Sequence, residues 1–200
     1  MTPLLYEIAA YILSFYLKVF HRFQVYGAHH LPKNGPVIVV SNHANFIDPI
    51  VVGCSLRQRQ VCFMAKEELF RIPIFRSLLP GLGTFPVRRG RSDRTAIRAA
   101  FEVLKQGKVL GMFPEGTRYR DGQLHPLRQG ASLLAAETGA SILPMIIRGT
   151  QKLKLFHFPQ IKVYIGEAFT LATVEPKKEM VLRGTAEIYT RLRALWENTK

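Results

Sequence analysis

His43 and Asp48 are the two residues of this chain whose types and spacing best suit acid–base chemistry. A histidine near its ordinary pKa of about 6.5 can take a proton at neutral pH. A carboxylate on one ring nitrogen fixes the tautomer that leaves the other nitrogen free. Five positions of continuous helix turn a side chain through about 500°, leaving the two roughly 140° apart, so a pair that meets needs a turn between them. Asp48–Pro49 supplies one, because proline disfavours helical backbone in the residue before it and suits the first turn of a new helix. That reading puts Asp48 at a helix N-cap beside the loop carrying His43. Taken singly, a capping aspartate and a hydrogen-bonded loop histidine account for the same residues. No Gly-x-Ser-x-Gly turn is present, so the nucleophile that His43 would activate is a hydroxyl of the substrate.

A second constellation is Phe113–Pro114–Glu115–Gly116–Thr117–Arg118. Gly116 can turn the chain and bare the backbone, Thr117 offers a hydroxyl and Arg118 a forked cation, which together are phosphate-binding parts. A plain Pro-Glu-Gly turn with a surface arginine is the alternative. Arg128–Gln129–Gly130 precedes a helical pattern whose N-terminus would also attract an anion. A metal hydrolase is disfavoured: no His-Glu-x-x-His occurs, and His21, His29, His30, His125 and His157 are scattered, as surface or loop residues are. Cys54 and Cys62 read as small buried apolar residues.

The elements that must position these groups are legible as apolar runs. Residues 36–41, 60–65 and 108–113 read as strands, each charged loop following one of them, and 141–148 and 160–166 as further strands. Pro144 places the first of these last two at an edge or a bend. A helix opens at Ser92 or Asp93 and stops at Gly107, another covers 129–138 and ends at Gly139, and a closing helix spans about 177–198 with Val181, Ile188, Leu192 and Leu195 on one face. The expectation is one α/β domain over 1–200, a mixed, largely parallel sheet flanked by helices plus an N-terminal apolar helix. Its parts are 1–22, a catalytic core over 36–149 and a closing strand and helix over 150–200. In that first helix, residues 4–20 are apolar except Glu7, Ser14 and Lys18, which share one stripe. Seventeen residues of helix fall short of a bilayer core of about 30 Å, so the segment reads as a core helix or one lying in the membrane interface.

With 200 residues, 48% of them hydrophobic, the chain has one sizeable core and is neither disordered nor a disulfide scaffold. Two cysteines, no CxxC and no signal-peptide cleavage pattern fit a reducing compartment. The net charge of +14 favours anionic partners. Between Arg57 and Arg98 ten basic residues face three acids, with apolar side chains interleaved, notably over 69–79. That mixture suits a membrane face better than a duplex. No helix-turn-helix, zinc-ligand or RNA-binding aromatic signature accompanies the charge, so no nucleic-acid partner is expected.

Asn42–His43 with Asp48 resembles the histidine–four residues–aspartate motif of the glycerolipid acyltransferase family, and within it the bacterial-type lysophosphatidate acyltransferases. Residues 83–88 (GTFPVR), 113–118 and 142–145 (ILPM) resemble the family's remaining blocks in order, although Pro86–Val87 departs from the commoner form of the second. The resemblance implies transfer of an acyl group from a thioester to the sn-2 hydroxyl of 1-acyl-sn-glycerol 3-phosphate, forming phosphatidate. A related acceptor such as glycerol 3-phosphate, another lysophospholipid or a lipid A intermediate is the alternative. It implies His43 as base and Asp48 as its partner, with Arg88 and Arg118 on the acceptor's phosphate. Glu115, Gly116 and Thr117 would shape that site, with Lys66 near it. The donor would be acyl-CoA or acyl carrier protein, with no cofactor and no metal. The partners would be a lysophospholipid and an anionic membrane surface, with peripheral or monotopic attachment at the cytoplasmic face.

Overall fold

The run Val37–Val40 is fully buried although its side chains alternate in direction. Val37 and Val39 enter one apolar layer, and Ile38 and Val40 enter the other. A strand of this kind belongs in the middle of a sheet covered on both faces. The computed structural model describes residues 3–87, 94–154 and 156–199. In chain order the elements are α1 (Leu4–His21), β1 (Gln24–Tyr26), β2 (Val37–Ser41), α2 (Asp48–Ser55), β3 (Val61–Lys66), α3 (Pro73–Gly81), β4 (Thr84–Val87), α4 (Arg94–Lys105), β5 (Val109–Met112), α5 (Gly130–Thr138), β6 (Ser141–Arg148), β7 (Lys162–Ile165) and α6 (Lys177–Glu197). The strands form a seven-stranded sheet in the order β1-β7-β6-β2-β5-β3-β4. Every neighbouring pair is parallel except β6 with β7.

The five strands anticipated from apolar runs are present, within one or two residues at most ends. The short strands β1 and β4 complete the two edges. The expected helix start at Ser92 or Asp93 lies outside the described residues. Gly107 and Gly139 both adopt positive φ where α4 and α5 stop, the left-handed backbone that glycine supplies at a helix end. Pro144 corrects the edge expectation, because β6 is an interior strand between β7 and β2. Met145–Arg148 pair with β7 in one register, while the isolated Ile142–Phe169 bridge is shifted by one residue. The missing N–H of Pro144 falls at that slip, where a continuous ladder is already interrupted.

Helices α1 and α2 cover one face of the sheet, and α4, α5 and α6 the other. Val181, Ile188 and Leu192 of α6 are buried as its periodicity requires, with Trp196 beside them. Helix α1 is a different case. Its buried stripe is Tyr6, Ala10, Ser14, Leu17 and His21, while Leu4, Ile8, Tyr11, Ile12, Phe15 and Val19 are each 48% or more exposed. The stripe docks along the length of the helix. The Tyr6 hydroxyl donates to the Gly53 carbonyl (3.4 Å) and accepts from the Val61 amide (3.3 Å), and burial pushes its pKa up to about 12. At the far end the Ile161 amide donates to the His21 carbonyl (2.9 Å). His21 is thus buried and structural, contrary to the surface role expected of it.

Two further residues fix the frame. Arg59, one of the ten cations of the basic stretch, donates to the carbonyls of Pro32, Gly35 and Gly107 at 2.6–2.8 Å and ties three loops at the N-terminal edge of the parallel strands. In β5, Gly111 leaves room for the ring of Phe63 on β3; a Cβ there would stand 2.1 Å from Phe63 Cε1. Gly111→Ala is expected to lower the unfolding free energy by about 1–3 kcal/mol through overpacking. The check is a lower denaturant midpoint at unchanged slope, partly recovered when Phe63→Leu is added.

Candidate active site

Because β6, β2, β5, β3 and β4 are neighbours in that order and all parallel, the loops leaving their C-terminal ends share one edge of the sheet. Crevices outside such ends are where open α/β sheets bind ligands. Both constellations found in the sequence lie there, His43–Asp48 after β2 and Phe113–Arg118 after β5.

The loop 42–47 is short and is held on both sides by hydrogen bonds. Asn42 bridges to β6, its Nδ2 donating to the Ile147 carbonyl (3.0 Å) and its Oδ1 accepting from the Ile147 amide (2.8 Å). Asn45 Nδ2 donates to the Thr150 carbonyl (3.1 Å). Asp48 is completely buried, and one oxygen, Oδ2, gathers the amides of Ala44 and Asn45 (2.7 Å each) and His43 Nδ1 (2.8 Å). This refines the expected cap. Asp48 is the first residue of α2, with Ile47 at the cap position, and its carboxylate faces back onto the loop. Since a carboxylate only accepts, the Nδ1 proton lies toward it, and Nε2 is left with its lone pair. The His43 ring is held flat on Phe113 (centroids 4.1 Å, 17°), which itself stacks with Phe63 (6.0 Å, 14°). The space left by Gly111 therefore reaches the His43 imidazole through two aromatic rings.

Glu115 does something the sequence did not disclose. It is buried, and its Oε2 accepts from the His43 amide (3.1 Å) while Oε1 accepts from the His125 amide (3.4 Å). The Tyr119 amide donates to the His43 carbonyl (2.8 Å). Both backbone groups of the histidine are thus tied to the loop after β5. In this structure the Glu115 carboxylate is occupied in clasping two loops. Gly116, Thr117 and Arg118 form the exposed turn beyond it, with Gly116 at φ +77°. Arg128 lies across Gly116, so that a Cβ there would sit 2.4 Å from its Nε, and its own amide donates to the Pro114 carbonyl (2.7 Å). Lys66 is exposed at the C-terminal end of β3, in register with Val87 of β4. Arg88, the next residue, lies outside the described residues. His125 is not isolated either. Its Nε2 meets Asp121 Oδ2 at 2.8 Å and its ring stacks on Tyr119 at 3.5 Å. The four-residue spacing of Asp121 and His125 across Gly122 was the available signal. Among the described residues no group of three or more His, Cys, Asp and Glu side chains could hold a metal ion.

Burial pushes the Glu115 carboxyl above its ordinary value, and the amides of His43 and His125 offset this only in part. A folded pKa above the unfolded one means that the native state holds the proton longer. The contribution to stability is full below pH 4.5 and is lost as pH rises through the raised value. Glu115→Gln removes that titration and points an amide N–H₂ at one of the two backbone donors. Wild type is therefore expected to lose stability relative to the variant as pH rises from 4.5, read from denaturant midpoints of both proteins along the same pH series.

The profile of the Acyltransferase family matches residues 22–148, which include both motif loops. Over 194 residues the chain is 29% identical to the 1-acyl-sn-glycerol-3-phosphate acyltransferase of Bacillus subtilis, an alignment covering 96% of each chain. It is 36% identical over 129 residues to the protein of the same name from Borreliella burgdorferi, covering 63% of this chain and 51% of that one. With the chloroplastic enzyme BAT2 of Brassica napus the identity is 35% over 137 residues, 67% of this chain and 39% of the relative. The crystal structure of the 1-acyl-sn-glycerophosphate acyltransferase PlsC from Thermotoga maritima superposes with a TM-score of 0.70 at 25% identity, covering 94% of this chain and 80% of that one. The motif order and sheet agree with these matches: the chain belongs to the Acyltransferase family.

Proposed function

We propose that this chain transfers an acyl group from a thioester to the sn-2 hydroxyl of 1-acyl-sn-glycerol 3-phosphate, giving phosphatidate. The observation that carries the reading is the 2.8 Å contact of His43 Nδ1 with buried Asp48, which leaves Nε2 basic on the same sheet edge as the Gly116–Arg118 turn. Nε2 removes the hydroxyl proton as the oxygen attacks the thioester carbonyl. The C–O bond forms, the C–S bond breaks, and the imidazolium returns its proton to the departing thiolate. The step balances without a metal or a cofactor. Asp48 holds the tautomer and offsets the charge on the imidazolium. Arg118, with Thr117, Lys66 and Arg88, takes the acceptor's phosphate, a group that the forked guanidinium suits. Glu115 is a positioning residue for the base. Acyl-CoA and acyl carrier protein are both acidic donors that the net charge of +14 favours.

The acceptor carries an acyl chain, so the site must meet a lipid surface. Support comes from α1, whose apolar face is exposed although its other face is docked. By length and composition it could cross a membrane, but a helix fastened to the sheet domain from Tyr6 to His21 suits lying along a bilayer better than crossing it. Helix α3 adjoins it, with Leu5 packed over Gly81, and exposes Ile74, Phe75 and Leu78 beside Arg71 and Arg76. Apolar insertion and attraction to anionic lipid together give stable peripheral or monotopic binding. The cytoplasmic leaflet is the surface proposed.

Two outcomes follow. With a long-chain acyl thioester and lysophosphatidate in detergent, His43→Ala is expected to release thiol at least about 10²–10⁴-fold more slowly than wild type, the usual weight of general-base help. Mass analysis should find phosphatidate. Product formed only with glycerol 3-phosphate, another lysophospholipid or a lipid A intermediate would replace the acceptor. Turnover intact in His43→Ala would remove the base. The protein is also expected to sediment with anionic vesicles and to lose part of that binding in high salt. It should lose more on Ile12→Asp with Phe15→Asp, substitutions that spare the docked stripe of α1. Binding indifferent to salt would overturn the electrostatic part.

A further inference from the structure

Beyond α1, the most exposed large apolar residue among those described is Phe156, at 85%. It stands in the loop between β6 and β7 with φ +61°, left-handed backbone that bulky side chains rarely adopt and that persists only where the surroundings impose it. The only other described non-glycine residue with positive φ is Arg22, immediately after α1. These two places are joined. His21 Nδ1 lies 3.1 Å from the Pro159 carbonyl, and the Phe158 ring packs on Phe20 (5.4 Å) and His21 (5.5 Å). The His157 amide closes a tight turn onto the Lys154 carbonyl (3.0 Å). The loop is therefore anchored at its base while Phe156 projects from its tip.

We propose that Phe156 and Phe158 form a second contact with an anionic bilayer, beside the C-terminal end of α1. The inference rests on the membrane reading of α1 given above. Charge favours this occupant. From Gly149 to Gly166 the chain has no acid, and Lys152, Lys154 and His157 are exposed around the aromatic tip. Tyr16, Phe20 and Phe158 form a continuous aromatic set (Tyr16–Phe20 at 5.0 Å), the side-chain type that occupies the boundary between headgroup and hydrocarbon. One helix lying in an interface can still roll about its axis, whereas a helix and a separate aromatic loop fix the roll. The loop after β2 is bonded to Ile147 of β6 and to Thr150, two residues past the end of that strand. Fixing the roll thereby fixes the height of His43 above the lipid.

The chain has a single, buried tryptophan, Trp196, so an added one reports its own surroundings against the wild-type signal. The test compares Phe156→Trp with Tyr16→Trp, the α1 probe, on phosphatidylcholine–phosphatidylglycerol vesicles carrying brominated acyl chains. Both probes are expected to shift to the blue and to be quenched. Phe156→Gly accompanies them, because glycine accepts φ +61° and the variant keeps its fold. It should bind vesicles about 5–10-fold more weakly and keep its turnover on detergent-dispersed acceptor. A quenched residue 16 with an unquenched residue 156, or undiminished binding by Phe156→Gly, overturns the loop contact and leaves the α1 reading standing. If neither probe is quenched, the α1 reading fails and the loop contact with it. Quenching replaced by concentration-dependent self-association would assign the loop to a second copy of the chain instead.

Discussion

One buried oxygen, Oδ2 of Asp48, gathers three N–H groups, and the rest of the site follows from it. A carboxylate removed from water must recover its hydration from donors nearby, and the price of leaving it unmatched exceeds that of most single interactions. Here the donors are the amides of Ala44 and Asn45 and the ring of His43. Satisfying that oxygen therefore folds the loop, starts α2 and orients the His43 imidazole in one arrangement. The same five-residue spacing that forbids contact along a helix becomes the length of chain needed to close this ring of hydrogen bonds.

The loop so closed would still drift without a floor and a wall. The parallel register supplies the floor, since the C-terminal end of β2 lies between those of β6 and β5 and each neighbour holds one side of the loop. Asn42 and Asn45 reach β6 and the turn after it, while Glu115 and Tyr119, both after β5, take the amide and the carbonyl of His43. The wall is aromatic. Phe63 lies flat because Gly111 has no side chain, Phe113 lies on Phe63, and the imidazole lies on Phe113. A glycine on the strand next to β2 thus bears on the plane of the His43 imidazole. Lys66, Arg88 and Arg118, the residues proposed for the acceptor's phosphate, stand in sequence at or after the ends of β3, β4 and β5, all on one side of β2 in the sheet order. On that proposal the β6 side is left for a different group.

How much of this could be read in advance depended on the range of the interaction involved. His43, Asp48 and the Phe113–Arg118 turn are local patterns, and the buried strands announce themselves as apolar runs, so the α/β class and the site edge were legible. Glu115 was found but not its use, because its targets are backbone amides 72 and 10 residues away and a backbone amide carries no sequence label. Of the two readings of Pro144, an edge or a bend, the edge failed for a similar reason. A proline bars one ladder bond, but only the partner strand decides whether that bond is wanted, and here a slip in the β7 register removes the need. His21 looked like a surface residue because nothing near it in sequence shows the Pro159 carbonyl that it meets. Strands β1 and β4, three and four residues long, fall below the length at which alternation can be distinguished from chance.

Helix α1 gives the sharpest case of sequence and structure answering different questions. Its polar residues Glu7, Ser14 and Lys18 share a stripe, and for a helix in water that stripe would face out. Glu7 and Lys18 do face out, but the fold buries Ser14 and leaves Ile8, Ile12, Phe15 and Val19 exposed as well. A helix whose apolar face is much the larger can dock only part of it on a small domain, and docking is settled by shape: Tyr6, Ala10 and Leu17 fit the α2 side, where Gly53 leaves room for the tyrosine hydroxyl. The remainder is a cost in water and a gain in lipid. On the proposed reading, the exposed face and the substrate chemistry answer one need: an enzyme whose acceptor carries an acyl chain has a use for apolar surface left outside the core.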